Sequence, residues 1–360
     1  MVRAVTTYVI SVACRGRPGG GGLVRVLVTG GTGFVGSHTV AALVKKGHRV
    51  RLLARSHERV DPALAPHGGV APDVVIGDAT DEAAVVAAVA GCEAVIHAAN
   101  VFSFDPRLAA TMNTVNEQGT ELVLAEASRV GLNPIVHVSS YVALLPSEKP
   151  LTADSEVGLP APPYSKSKAA AERVARRFQA DGVPVVITYP GSTWGPHDPY
   201  LGESGRLVQS ALRGWYRFLN DGLLPISDVR DIAAAHAALL QPGLGPRRYI
   251  LVGHNPRFRA LIARLGELAG RNLWSIPVPP RMALATGRAA NWARAKLGVN
   301  LNLSYEGPWL VANANEADSR AARDELGIDF TPLDTTLTDT VKWLYQTGHI
   351  TRRQAGALAS

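Results

Sequence analysis

The sequence is poor in several things that would otherwise set its class. Of 360 residues only two are cysteines, Cys14 and Cys92. Two thiols so far apart make neither a metal-ligand spacing nor a disulfide framework. No metal is therefore expected, and a reducing, cytoplasmic setting fits. Cys92 stands just before "EAVIHAAN" and reads as a buried, inert thiol. No apolar run is long enough to span a bilayer. Aromatic residues make up only 6% of the chain, against 46% hydrophobic residues overall, a balance that suits a soluble α/β protein. The formal charge is +7, with Arg3, Arg15, Arg17, Arg352 and Arg353 near the ends. Nucleic-acid binding needs a basic face carrying a reading element. None is found, so no nucleic-acid partner is expected; a mild attraction for phosphorylated ligands or acidic surfaces is what the charge supports.

Residues 1–22 hold a short apolar piece, "TTYVISVAC", and a linker-like "RGRPGGGG". The piece is too short for a spanning helix and weak as a secretory core. The segment reads as a disordered extension, with a lipid anchor at Cys14 or a cleaved signal as the lesser reading.

From Val24 apolar runs alternate with amphipathic stretches. "VRVLVTG", "HRVRLLAR", "DVVIGDATD", "EAVIHAAN", "PIVHVSS" and "PVVITYPG" read as strands, and the segments between them as helices, including one long helix "MNTVNEQGTELVLAEASRVG". That rhythm predicts an α/β chain of Rossmann type, a doubly wound parallel sheet covered on both faces. After Pro190 the rhythm breaks. Residues 23–190, rejoined by 226–255, read as the dinucleotide domain. Residues 191–225 and 256–350 read as a smaller, mostly helical substrate lobe over the carboxyl ends of the strands, and 351–360 as a flexible tail. Ligands of open α/β sheets bind at that edge.

Gly30, Gly33 and Gly36 fall where the first strand turns into the first helix. The first allows a tight turn, the second a close approach by a pyrophosphate, and the third the packing of helix on strand. Thr32, Phe34 and Val35 share that turn, and the helix N-terminus supplies free N–H groups and a positive dipole end. The context, a strand before and a helix after, predicts a dinucleotide site rather than a structural turn. One further absence bears on which dinucleotide. Between Gly47 and His57 there is no acid, although an Asp or Glu there binds the ribose of NAD. Arg55 and Ser56 stand in its place. A guanidinium suits the 2′-phosphate, so NADP is favoured over NAD. Asp78 falls at the end of the third strand beside Ala79. Its carboxylate reads either as an adenine contact or as the N-cap of the following helix.

Tyr164 and Lys168 stand four residues apart in "YSKSK" and share one face if helical. A free tyrosine has a pKa of about 10, too high for a base near neutrality. A neighbouring ammonium favours the phenolate, giving a proton donor and acceptor for alcohol/carbonyl interconversion. "HVSS" ends the fifth strand with Ser139 and Ser140, either of which could bond a substrate oxygen.

Together "TGGTGFVG", "GDATD", "HAA", "NEQGT", "HVSS", "YSKSK", "YPGSTWGP" and "DVRDIAAAH" resemble, in order and over about residues 24–252, an extended short-chain dehydrogenase/reductase of the epimerase/dehydratase superfamily. The chain looks most like its dihydroflavonol 4-reductase and 3β-hydroxysteroid dehydrogenase branch. The resemblance implies Tyr164 as acid/base, Lys168 as the residue that bonds the nicotinamide ribose and lowers the tyrosine pKa, and Ser140 rather than Ser139 on the substrate carbonyl. It implies Asn116 behind the site, Ala98 and Ala99 making room for cofactor, and Pro190, Gly191 and Thr193 along the nicotinamide side. Asp228 and Asp231 read as structural, and His97, His197 and His236 as packing or surface residues. Two departures stand out: "YVALLP" follows the fifth strand where sugar-nucleotide epimerases tend to carry "VYG", and Tyr189 stands where an arginine is frequent.

The function expected is an NADP-dependent oxidoreductase moving a hydride between nicotinamide and the carbonyl or secondary alcohol of a small substrate. The lobe's "WYRF", "NLWSIPVPP" and "LATGRAANWARAKLG" suggest that this substrate is hydrophobic. The alternatives are a sugar-nucleotide epimerase or dehydratase that retains its NAD(P), and a non-enzymatic NADP-binding regulator. A homodimer is allowed by the helix faces. Weak association with a membrane surface is allowed through residues 281–298, against the alternative of a helix packed on the lobe.

Overall fold

The computed structural model describes residues 23–297 and 304–359. The extension 1–22, with Cys14, lies outside the described residues.

Val26, Leu27 and Val28 of strand β1 (Arg25–Thr29) are all fully buried. A strand without polar alternation must be covered on both faces, and this one is. It joins β2 (Arg49–Ala54), β3 (Asp73–Ile76), β4 (Ala94–His97), β5 (Ile135–Val138) and β6 (Val185–Pro190). The short strands β7 (Ser192–Trp194), β8 (Phe218–Leu219) and β9 (Ile226–Asp228) stand outside, and β10 (Arg247–Leu251) returns to the main sheet. The seven strands run in the order β10-β6-β5-β4-β1-β2-β3, all parallel. The order reverses between β1 and β4, which is where such sheets open a ligand crevice.

One face carries α1 (Phe34–Lys45), with Val40 and Leu43 buried. The short α2 (Val60–Leu64) follows β2. The other face carries α3 (Glu82–Val89), α5 (Gly119–Arg129) and α6 (Pro163–Ala180), through Val85, Leu124 and Ala175 among others. Each buried Leu, Val or Ile contributes roughly 1.5–3 kcal/mol, so these two layers hold the sheet. The long helix expected over residues 112–131 is not continuous. It is α4 (Ala109–Asn113), a π-turn over Thr114–Gln118, then α5. Wide turns of this kind re-aim side chains, and here the side chain is the buried Asn116.

The lobe has its own core. Trp194, Leu212, Leu261, Leu265, Leu337 and Leu344 pack between α7 (Glu203–Leu212), α9 (Phe258–Leu268) and α13 (Leu333–Gln346). Between them in the chain come α8 (Val229–Ala238), which packs on α1, and then, after α9, α10 (Pro280–Leu297), α11 (Glu306–Asn313) and α12 (Arg320–Leu326). Two expectations change. The stretch around α12, expected with the lobe, packs on the sheet instead: Ala322, Ile328 and Phe330 join the core that covers β1 and β10, and the Ser319 hydroxyl donates to the Val252 carbonyl. The tail expected at 351–360 is α14 (Arg352–Ala355), capped by Thr351 and Gln354, with Ala355 fully buried. Its capping box satisfies the first-turn donors and anchors the turn. No described helix is long and apolar enough to cross a membrane.

Candidate active site

The site is assembled at the carboxyl ends of β1, β4, β5 and β6. Gly30 has φ +71, and a Cβ there would lie 2.6 Å from the Ala98 backbone. A Cβ on Gly36 would run into the Gly30 carbonyl, whereas one on Gly33 would meet only that carbonyl, at 3.3 Å. Gly30 and Gly36 thus close the turn, while Gly33 is the least crowded of the three. Gly33 is also the N-cap of α1, which has no side-chain cap and no acid in its first turn. Bare N–H groups beside this glycine fit a dinucleotide pyrophosphate. Thr32, Phe34 and Val35 are partly exposed around it. Ala98 and Ala99 continue the cradle, and the Ala99 N–H donates to Thr29 Oγ1.

Arg55 is exposed at the end of β2, without a hydrogen bond or ion pair among the described residues, and Ser56 follows half-buried. Arg51 is differently placed: it pairs with Asp73 and donates to the carbonyls of Ala88 and Ala90. It is therefore committed to the sheet edge. Asp78 accepts from the N–H and hydroxyl of Thr80, and the helix N-cap is Asp81 rather than Asp78. Ala79 is buried beside Gly119.

Tyr164 lies in the first turn of α6, buried, with Phe102 against its ring at 4.5 Å between centroids. Burial pushes its hydroxyl above the ordinary tyrosine pKa, the Glu306 carboxylate adds to this, and hydrogen bonds with Asn100 and Ser140 pull the other way. The net shift is upward, because desolvation of a phenolate outweighs the groups that favour it. Lys168 is buried one turn on, donating to the Val138 carbonyl at 3.1 Å. Burial lowers its pKa to about 8, and Glu172 opposes the shift.

Ser140 bonds weakly to the Pro190 carbonyl and is the serine on Tyr164, whereas the buried Ser139 hydroxyl has no partner in the structure. Asn116 accepts from the Val101 N–H and donates to the Val101 carbonyl and Ser167. It is not a surface amide; it ties the loop after β4 to α6. Gly191 donates to Ser227, and the Thr193 hydroxyl donates to the Gly191 carbonyl. Asp228 and Asp231 do structural work. Asp228 caps α8 and accepts from Arg230 and Thr336, and Asp231 accepts from Thr331.

Three contributors had no local signal. Asn100 lies near the Tyr164 hydroxyl and favours its phenolate. Glu306 accepts from the N–H groups of Tyr164 and Ser165. Glu172 is fully buried and accepts from Arg176 at 2.6 Å and from the Tyr189 hydroxyl at 2.7 Å. That last group explains the Tyr189 departure: the guanidinium beside the buried carboxylate comes from α6, and β6 supplies a phenol. Tyr164, Lys168, Glu172 and Arg176 form one ridge of α6 at four-residue spacing. His97 is bonded to Thr29 and Thr120, and His236 to Thr39 and Thr188, as packing residues. Among the described residues no group of three His, Cys, Asp or Glu is arranged to hold a metal ion.

A seven-stranded parallel sheet with this glycine turn defines an NAD(P)-binding enzyme of the Rossmann class. The chain belongs to the NAD dependent epimerase/dehydratase family, whose sequence profile matches residues 26–251. It is 29% identical to a Synechocystis protein named after dihydroflavonol 4-reductase, over 90% of this chain and 95% of the other. It is 27% identical to sterol demethylase protein B of Methylococcus capsulatus, over 90% and 99%. The crystal structure of a nucleoside-diphosphate-sugar epimerase from Pseudomonas aeruginosa superposes with a TM-score of 0.69 at 25% identity, over 91% and 99%.

Proposed function

We propose that the protein is an NADP-dependent reductase, or dehydrogenase in reverse, of a small hydrophobic carbonyl compound. The observation that carries this reading is the buried Tyr164 hydroxyl, flanked by the Phe102 ring at 4.5 Å, with Ser140 and Asn100 close enough to favour its phenolate. A phenol kept neutral by burial is a proton donor, and reduction of a carbonyl needs a proton delivered to oxygen. Phe102 and Phe104 pack edge to face beside it, a wall better matched to an apolar group than to a nucleotide sugar.

The backbone at Gly33 and the uncapped N-terminus of α1 would hold the pyrophosphate, and Arg55 the 2′-phosphate. When bound, the nicotinamide supplies or accepts the hydride. The chain's own residues do the rest. Ser140 orients the substrate oxygen. Tyr164 gives that oxygen a proton in reduction and takes it back in oxidation. The Lys168 ammonium, one turn away, favours the phenolate left behind. Asn116 holds the loop that carries Asn100 and Phe102 against α6.

The test is consumption of NADPH by the purified protein across a panel of hydrophobic ketones and aldehydes, with Tyr164→Phe alongside. Turnover by the wild type, reduced about 10²–10⁴-fold in the variant, is expected of a general acid. The resemblance to a sugar-nucleotide epimerase favours a second reading, with the same residues and a retained cofactor. Epimerisation of a nucleoside-diphosphate sugar without net NADPH use would select it.

A further inference from the structure

The lobe carries an apolar patch made by residues outside the candidate site. The two-residue strands β8 and β11 (Ile276–Pro277) form a parallel ribbon in which Phe218 pairs with Ile276. Both side chains are exposed, 67% and 45%. Leu219, next to Phe218, points the other way and is buried in the lobe core, as strand alternation requires. Trp215 and Trp274, at the entries to the two strands, are each 52% exposed, and Met282 at the start of α10 is 54% exposed. Scattered exposed apolar residues are ordinary, but a contiguous group with two tryptophans marks an interaction surface. The ribbon is well tied: Ile276 donates to the Arg217 carbonyl at 2.7 Å, Val278 to Leu219 at 2.9 Å, and the Arg217 guanidinium to the Trp274 carbonyl at 3.1 Å.

The two stretches that build it carry no acid between Glu203 and Asp221 or between Glu267 and Glu306, and they hold three and five basic residues respectively. Arg217 lies over the Trp274 ring at 4.4 Å and Arg213 over the Trp215 ring at 5.4 Å. Indole rings with guanidinium groups on them match the headgroup level of a bilayer, where the ring is solvated by acyl carbon and the cation meets phosphate. A second copy of this chain suits the patch poorly. A twofold contact would set the arginines of these stretches against one another.

We propose that the β8–β11 ribbon and the first turn of α10 dock on an anionic lipid surface, with Trp215, Phe218, Trp274, Ile276 and Met282 entering the headgroup region and Arg213, Arg217 and Arg281 facing lipid phosphates. This narrows the association expected through residues 281–298. α10 packs on α11 along a narrow buried stripe of Ala283, Gly287 and Ala290, residue 298 lies outside the described residues, and the surface is completed by a segment some sixty residues earlier in the chain. The proposal does not depend on the reaction the protein catalyses.

The test is co-sedimentation of the full chain with phosphatidylcholine vesicles, with and without phosphatidylglycerol, at low and high salt. The chain should pellet with the anionic vesicles at low salt and be released by added salt. Trp215→Ser with Trp274→Ser should lower the partition about tenfold or more. Arg213→Gln with Arg281→Gln should lower it roughly fivefold per arginine. Unchanged circular dichroism and thermal midpoints show that the variants are folded; the arginine pair is solvent-facing, so at least that variant should be. No pelleting on anionic vesicles at low salt, or pelleting kept by both double variants, overturns the proposal. So does a dimer by light scattering that the tryptophan variant dissolves, which would give the patch to a second copy.

Discussion

The carboxylate of Glu306 accepts a hydrogen bond from the backbone N–H of Tyr164, 142 residues earlier in the chain, at 3.2 Å. The same carboxylate takes the N–H and hydroxyl of Ser165, each at 2.8 Å. Helix α6 begins with Pro162 and Pro163 and has no side-chain cap of its own. Pro163 has no N–H, and the Lys166 N–H already bonds the Pro162 carbonyl. The two donors left in the first turn are both met by Glu306. A carboxylate at a helix N-terminus also complements the dipole. The lobe thereby caps the helix that carries Tyr164 and Lys168.

Removing that cap should show in stability. Glu306→Ala strands two buried N–H groups and a hydroxyl, and should cost about 2–4 kcal/mol in chemical denaturation, with Glu306→Gln in between. The pH dependence gives a sharper check. Burial raises the Glu306 pKa from 4.5 to about 7. The folded state therefore holds this proton more tightly than the unfolded state. Its contribution is fully present below pH 4.5 and is lost as pH rises through about 7. Relative to Glu306→Gln, the wild type should lose stability across that window. Parallel curves for the two proteins would show that the group does not titrate there.

The glycines of the first turn separate folding from cofactor binding. Gly36→Ala drives a Cβ into the Gly30 carbonyl and should prevent folding or cost several kcal/mol. Gly33→Ala brings a Cβ to 3.3 Å from the Gly30 carbonyl, a tight contact rather than a clash, so its thermal midpoint should fall far less than that of Gly36→Ala. Its methyl would stand where a pyrophosphate approaches, so its affinity for NADPH should fall about tenfold or more. Equal affinity in the Gly33 variant would argue that the turn is only structural.

The ridge of α6 predicts a pH effect on turnover. Lys168 titrates at about 8, and Glu172 is the group that holds it up. Activity that needs the ammonium should decline as pH rises through about 8. Glu172→Gln should move that limb to lower pH, so that the rate at pH 8 falls roughly two- to tenfold more than the rate at pH 6.5. A limb that stays in place would mean that Lys168 does not set it.

Much of this was legible in the sequence, for a definite reason. Parallel strands buried on both faces write themselves as apolar runs, and the glycine turn needs its residues at fixed spacing, so Val26–Val28 and Gly30, Gly33 and Gly36 could be read locally. Tyr164 and Lys168 were legible because one helix presents both. Glu306, Glu172 with Tyr189, and Asn100 were not, because each acts through contact between distant segments. The π-turn at Asn116 was hidden because helix periodicity tolerates one extra residue. The 317–330 stretch and the capped turn at Thr351 were misassigned because an amphipathic helix shows its apolar face but not the surface it covers.

The cofactor the reductase reading calls for is decided at the end of β2, where Arg55 stands and no acid occurs between Gly47 and His57. The most direct measurement is a fluorescence titration of the purified protein with NADPH and NADH, wild type beside Arg55→Ala. The account predicts exchangeable NADPH, bound at least about tenfold more tightly than NADH, with the preference largely lost in the variant. NAD retained through purification, or no preference for the phosphate in the wild type, would contradict it and bring the epimerase reading forward.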